Sequence, residues 1–203
     1  FLFSSFFFLT LITACNDRLH NHVVITEIFQ TERDEPANID SPTVWHGPDG
    51  EHWLIATAKE GNGLYIADAT NGKHLRIYGS TGVDTGQFKR PNGITVFEDY
   101  LFVIERDNRR IQIVELPELK SLGFIAEDQL MKPYGVYIYT DETDSNHIFI
   151  SDNYETADGR IPDPGALDYR LHHFTFEITP DSISHKLVDR YGATEGEGIL
   201  YVV

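Results

Sequence analysis

Cysteine is nearly absent from this 203-residue chain, Cys15 being the only one, so no internal disulfide is possible and the lone thiol calls for another explanation. Basic residues are also scarce, 16 Lys and Arg against 32 Asp and Glu, for a formal net charge of −16. Such a surface repels phosphates everywhere except at local basic clusters, which excludes a broad nucleic-acid interface. It is compatible with cation binding and equally with plain solubility. No segment sustains a helical period, and neither a Gly-Xaa-Ser-Xaa-Gly elbow nor a phosphate-binding glycine loop occurs.

What is present begins with residues 1–14, FLFSSFFFLTLITA, an uncharged apolar run too short to cross a bilayer as a helix. It reads as the apolar core of a signal peptide. The closing Ile12-Thr13-Ala14-Cys15 resembles the lipobox of bacterial lipoproteins, and acylation of Cys15 accounts for an exported lone thiol. A buried N-terminal strand with an incidental cysteine is the alternative. Residues 1–15 are thus read as the signal, and residues 16–35 as a polar tether and first strand. Asn16 in place of aspartate favours an outer-membrane address in a Gram-negative source, on the periplasmic side or at the cell surface.

Three segments superpose without gaps: Leu54 to Lys59, Leu101 to Arg106, and Ile148 to Asn153. The offset is 47 residues in both cases (54 to 101, 101 to 148), within about the range of a four-stranded propeller blade. Each is preceded by a second element: Ser41-Pro42-Thr43-Val44-Trp45, Arg90-Pro91-Asn92-Gly93-Ile94, and Lys132-Pro133-Tyr134-Gly135-Val136. A fourth start is read at residues 194–200. Short β-branched and aromatic runs cut by turns such as Pro48-Asp49-Gly50 and Asn71-Gly72 complete an all-β pattern. The expectation is a β-propeller over residues 36–203 with blades starting near 40, 90, 132 and 195, and with an insertion from Tyr154 to Tyr169 in the third. Blades bury their faces only against neighbours, so about three blades are expected to belong to a longer chain. The run Gly82 to Pro91, followed by Asp107 to Gln112, resembles an NHL-type propeller repeat, which speaks to architecture and hardly to chemistry.

In a propeller, the loop before the innermost strand and the loop after the second strand share one face. That face is expected to carry Asp40, Ser41, Arg90, Asn92, Lys132, Tyr134, Glu195 and Glu197 beside Lys59, Glu60, Glu105 to Asp107, and Asp152 to Glu155. Carboxylates suit a hard cation such as calcium, and Lys and Arg suit phosphate, while solvated turns are the plain alternative. His172 and His173 fall in a strand-like run that points them to opposite faces, so they are not read as a metal pair. Trp45 and Trp53 are read as packing residues of the first blade.

These residues are similar to the β-propeller phytases. Ile39-Asp40-Ser41-Pro42-Thr43-Val44-Trp45 resembles that family's opening motif, and Leu54 to Gly63 its lysine-bearing segment. Further similarity lies in Glu105 to Arg110, Lys132 to Val136, Ser151 to Thr156, and Tyr191 to Gly196. The resemblance implies a six-bladed propeller that hydrolyses phytate or a related phosphate ester through water activated by calcium. It further implies catalytic roles for Asp40 and Glu195, and phosphate contacts from Lys59, Arg106 and Lys132. Calcium ligands are expected among Asp40, Glu60, Asp107, Asp152, Glu195 and Glu197. Ser41 stands where the family has a second aspartate, and Asp152-Asn153 where it has a base. The expected partners are a small phosphate ester and a membrane reached through the lipid anchor, with no nucleic acid, and the protein is expected to be a monomer. A non-catalytic NHL-like binding lipoprotein is the alternative, and a sugar-lactonase-like propeller a further one.

Overall fold

The computed structural model describes residues 24–31, 36–152, 158, 160 and 170–192. Cys15, Asn153 to Thr156, Glu195, Glu197 and the fourth start at 194–200 lie outside the described residues. Within them the chain forms fourteen strands and no helix. The first sheet comprises β1 (Ile39–His46), β2 (His52–Ala58), β3 (Gly63–Asp68) and β4 (His74–Tyr78). A short parallel pair, β5 (Ser80–Thr81) and β6 (Gln87–Phe88), leads to the second sheet. That sheet holds β7 (Pro91–Phe97), β8 (Tyr100–Glu105), β9 (Arg110–Glu115) and β10 (Lys120–Ile125). The third comprises β11 (Pro133–Thr140), β12 (Asn146–Asp152), β13 (Leu171–Thr179) and β14 (Ser182–Tyr191).

Each four-stranded sheet is an antiparallel meander whose strands follow chain order, as hairpins joined by short turns dictate. The sheets stack in succession, with first strands β1, β7 and β11 as neighbours. The second sheet is buried on both faces, which explains the unbroken apolar run in β8. Leu101 and Val103 pack towards the first sheet with Trp45, Trp53, Ile55, Leu64 and Ile66. Phe102 and Ile104 point the other way, into a core with Ile148, Ile150, Phe174 and Phe176. Trp45 is 1% exposed, and its indole N–H finds a partner 2.9 Å away in the Asp99 carboxylate of the next sheet. Full burial therefore leaves no orphan donor there.

The all-β expectation holds, and β1, β7 and β11 begin close to residues 40, 90 and 132. The 47-residue repeat has a structural meaning: Ala58, Glu105 and Asp152 end equivalent second strands and pair with Ile39, Pro91 and Pro133. One matched element is corrected. Pro42 pairs with Ala56 as Ile94 pairs with Val103 and Val136 with Ile150, so Pro42 is not the counterpart of Pro91 and Pro133. Separately, the second sheet's first hairpin turns at residues 98–99 where the others span 47–51 and 141–145. A shorter turn displaces the first strand in sequence while leaving the second strands in step.

Candidate functional site

All three first strands shift register at the same place, between Ile39 and Pro42, Pro91 and Ile94, and Pro133 and Val136. Such bulges re-aim side chains and free backbone groups from the ladder. The freed N–H of Ser41 donates to Thr57 Oγ1 at 3.2 Å, and the equivalent N–H of Gly135 donates to Ser151 Oγ at 2.8 Å. Thr57, fully buried, donates its own hydroxyl hydrogen bond to the carbonyl of Asn92 in the next sheet at 2.9 Å. Gly93 is required at the matching position because a Cβ there would lie 2.3 Å from the Tyr134 carbonyl. First strands thus approach one another closely at this rim.

At that rim Asp40, Asn92 and Tyr134 occupy equivalent bulge positions in the three sheets. Lys59, one residue beyond β2, connects the outer two. Its Nζ lies 2.7 Å from Asp40 Oδ2 and donates to Tyr134 Oη at 3.2 Å, 5.3 Å from the centre of that ring. Burial pulls the ammonium pKa down, but hydrogen bonds to Asp40 and Tyr134 outweigh it, so the pKa is raised above its usual 10.5 and the charge persists. Ser41 Oγ donates to the same Asp40 oxygen at 3.2 Å. Asn92, between these strands, is 1% exposed and neither amide atom has a hydrogen-bond partner.

The other expected residues are spread around the same rim. Glu60 is held by Arg90, Nη1 to Oε1, at 2.5 Å. Arg106 is half-buried and its N–H donates to the Arg90 carbonyl at 3.2 Å, as that of Lys59 does to Asn38 at 3.0 Å. Asp107 is exposed on the turn that follows. Asp152 is fully buried, and its two carboxylate oxygens accept the backbone N–H groups of Met131 and Lys132, each at 2.7 Å. It thereby fixes where Lys132 stands. His172 Nε2 lies 3.4 Å from the same carboxylate.

The NHL-like run is structural. Glu105, fully buried, takes Arg110 Nε at 2.8 Å, Gln112 Nε2 at 3.2 Å and the amide of Asn108. Gln112 then accepts from Gly86 N at 2.6 Å and donates to the Gln87 carbonyl at 3.0 Å, which pins the preceding loop. These motif positions make a buried polar network that satisfies itself.

Calcium needs several oxygens free to coordinate it. Among the described residues no three His, Cys, Asp or Glu side chains converge on one point. Asp40, Glu60 and Asp152 are each occupied by a cation or by backbone donors. The described carboxylates therefore do not fit a calcium centre by themselves. His172 and His173 do point to opposite faces: His172 towards Asp152, and His173 stacked on Phe149 at 4.2 Å. Sequence reading missed the chain from Asp141 Oδ2 to His147 Nε2 at 3.0 Å and from His147 Nδ1 to His173 Nε2 at 2.8 Å. Its signal, residues facing across β12 and β13, exists only once the register is known.

No protein-family model and no curated protein matches the chain. Solved structures do resemble it in shape. Hydrazine synthase of Kuenenia stuttgartiensis is 12% identical over 80% of this chain and 39% of that chain, at a TM-score of 0.50. An exported protein of Bacteroides fragilis is 10% identical over 82% of this chain and 43% of its own, at 0.47. A thermostable family-43 glycoside hydrolase is 13% identical over 75% and 53%, at 0.40. This chain spans about two fifths of the first two, and identities this low bear on the fold alone.

Proposed function

We propose that residues 36–192 form three blades of an exported, lipid-anchored β-propeller that binds phosphate monoesters and hydrolyses them in the manner of the phytases. Three successive four-stranded meanders with neighbouring first strands and a constant second-strand offset support the propeller. The observation that carries the functional reading is Lys59. It reaches from the first sheet to Tyr134 of the third, with 13% side-chain exposure and a charge its neighbours maintain. An ammonium so placed, with Arg106 and Lys132 on the same rim, is a ready partner for a phosphoryl oxygen. An incoming phosphate exchanges with Asp40, and Tyr134 keeps the ammonium oriented during that exchange.

Under this reading the substrate is phytate or a related ester, and hydrolysis requires calcium. Asp40 would hold the ion together with acidic residues outside those described, such as Glu195 and Glu197, and the ion would supply an activated water. The anchor is a lipid on Cys15. The test is phosphate release from phytate by the full-length protein with calcium and with a chelator. Calcium-dependent release is expected, and its loss in Lys59→Met is expected with it. One observation favours a binding role without turnover, namely that Asp40, Glu60 and Asp152 are all occupied within the fold. Phytate binding with no release under either condition would establish that role and refute hydrolysis.

A further inference from the structure

Arg170 stands directly opposite Asp152, as Arg110 stands opposite Glu105 in the second sheet. The two pairs differ in one respect. Arg110 forks onto Glu105, whereas the carboxylate of Asp152 is taken by the N–H groups of Met131 and Lys132. Arg170 consequently makes no ion pair with Asp152 or with any other described carboxylate. It is nevertheless 8% exposed, and its Nε is buried without a hydrogen-bond partner. A guanidinium cannot shed its proton, so burying its Nε with no counter-charge among the described residues carries a desolvation cost. Buried charges are almost always paired.

Side-chain alternation fixes where Arg170 points. Phe174 and Phe176 of β13 face the second sheet, and His172 on that same face lies by Asp152. Arg170 continues the ladder two residues earlier, its N–H donating to the Tyr191 carbonyl at 3.1 Å. It therefore faces the rim between the second and third sheets. Lys132 is there too, because the backbone N–H groups of Lys132 and Asp152 tie both Lys132 and Arg170 to Asp152, at 2.7 Å each. His172 Nδ1, next on that face, is likewise buried without a hydrogen-bond partner.

We infer that Arg170 is an oxyanion-binding residue that, with Lys132, receives a phosphoryl group between the second and third sheets. The class of ligand rests on the phosphate-ester reading above. The planar fork of a guanidinium suits two phosphoryl oxygens, and the bound anion provides a counter-charge that the described residues do not.

The experiment titrates the full-length protein with inorganic phosphate and with phytate by calorimetry, in the presence of a calcium chelator, for the native protein, Arg170→Gln and Arg170→Lys. Arg170→Gln is expected to weaken both ligands about tenfold or more, and Arg170→Lys by less. Without anions, Arg170→Gln is expected to unfold in urea at the same or higher denaturant concentration, since it removes an uncompensated charge. Unchanged phosphate affinity in Arg170→Gln overturns the inference, and so does a native protein that binds neither ligand. A large loss of urea stability without anions also overturns it, because it reveals a partner within the chain. Absence of phytate hydrolysis leaves these binding measurements intact and bears on the catalytic reading only.

Discussion

Glu105→Ala should be among the most damaging single substitutions in this chain, although Glu105 touches no ligand in the reading above. Its carboxylate is fully buried and accepts from Arg110, Asn108 and Gln112. Truncation strands Arg110, whose side chain is 7% exposed and keeps only Glu127, 3.9 Å away and 57% exposed, as an opposite charge. A partner that exposed and distant contributes little. Removing one half of a buried pair costs about 3–5 kcal/mol. With a urea slope of about 2 kcal/mol per molar, the midpoint falls by about 2 M. Fluorescence of Trp45 and Trp53, which lie in the adjoining core, reports the transition. Replacing both partners, Glu105→Leu with Arg110→Met, should recover most of the loss, because the pair as a unit contributes little net stability. The pH dependence follows the same logic. Burial raises the Glu105 pKa above its usual 4.5, and the hydrogen bonds from Arg110 and Asn108 oppose this without cancelling it. The folded protein then holds this proton more tightly than the unfolded chain. The resulting stability is full below about pH 4.5 and is lost as pH rises through the folded-state pKa, a slope that Glu105→Gln should remove. A Glu105→Ala protein within about 1 kcal/mol of the native one would refute this account of the network.

Asp152→Ala should destabilise by about 1–3 kcal/mol, since it removes the buried carboxylate that accepts the part-buried backbone N–H groups of Met131 and Lys132, and Asp152→Asn should cost less. Urea unfolding of both variants checks the order, and equal losses would contradict it. Gly93→Ala places a methyl 2.3 Å from the Tyr134 carbonyl, so strand separation should cost about 1–3 kcal/mol, visible as a lower thermal midpoint; an unchanged midpoint would show that the rim has slack. His147, Thr143 and the N–H of Ser145 hold the Asp141 pKa well below the usual 3.8. A depressed carboxylate stabilises the fold above its unfolded pKa and loses that effect as pH falls below it. Asp141→Asn should therefore flatten the acid limb of the stability profile below about pH 4, and an identical limb would remove Asp141 from the account.

The sheets were legible in the sequence because second strands carry a period that insertions do not disturb. Leu101 to Glu105 is buried on both faces, so each residue is constrained and the pattern survives. First strands were less legible: the short turn after Phe97 breaks their 47-residue spacing, and Pro42, Pro91 and Pro133 share a residue type without sharing a pairing position. The bulge position itself was hidden. Asp40, Asn92 and Tyr134 share no chemical character, and only their pairing partners reveal that they are one position used three times. Lys59 could be named from sequence because it follows the period, and Asp40 because it stands in the segment that resembles the family's opening motif, whereas Tyr134 gained its role from a contact 75 residues away. Arg170 could not be found that way. Its significance is a missing ion pair, and that appears only when Asp152 is seen to give its carboxylate to the backbone of Met131 and Lys132. Sequence patterns report what a fold repeats; the role proposed for Arg170 rests instead on a place where the third sheet departs from the second.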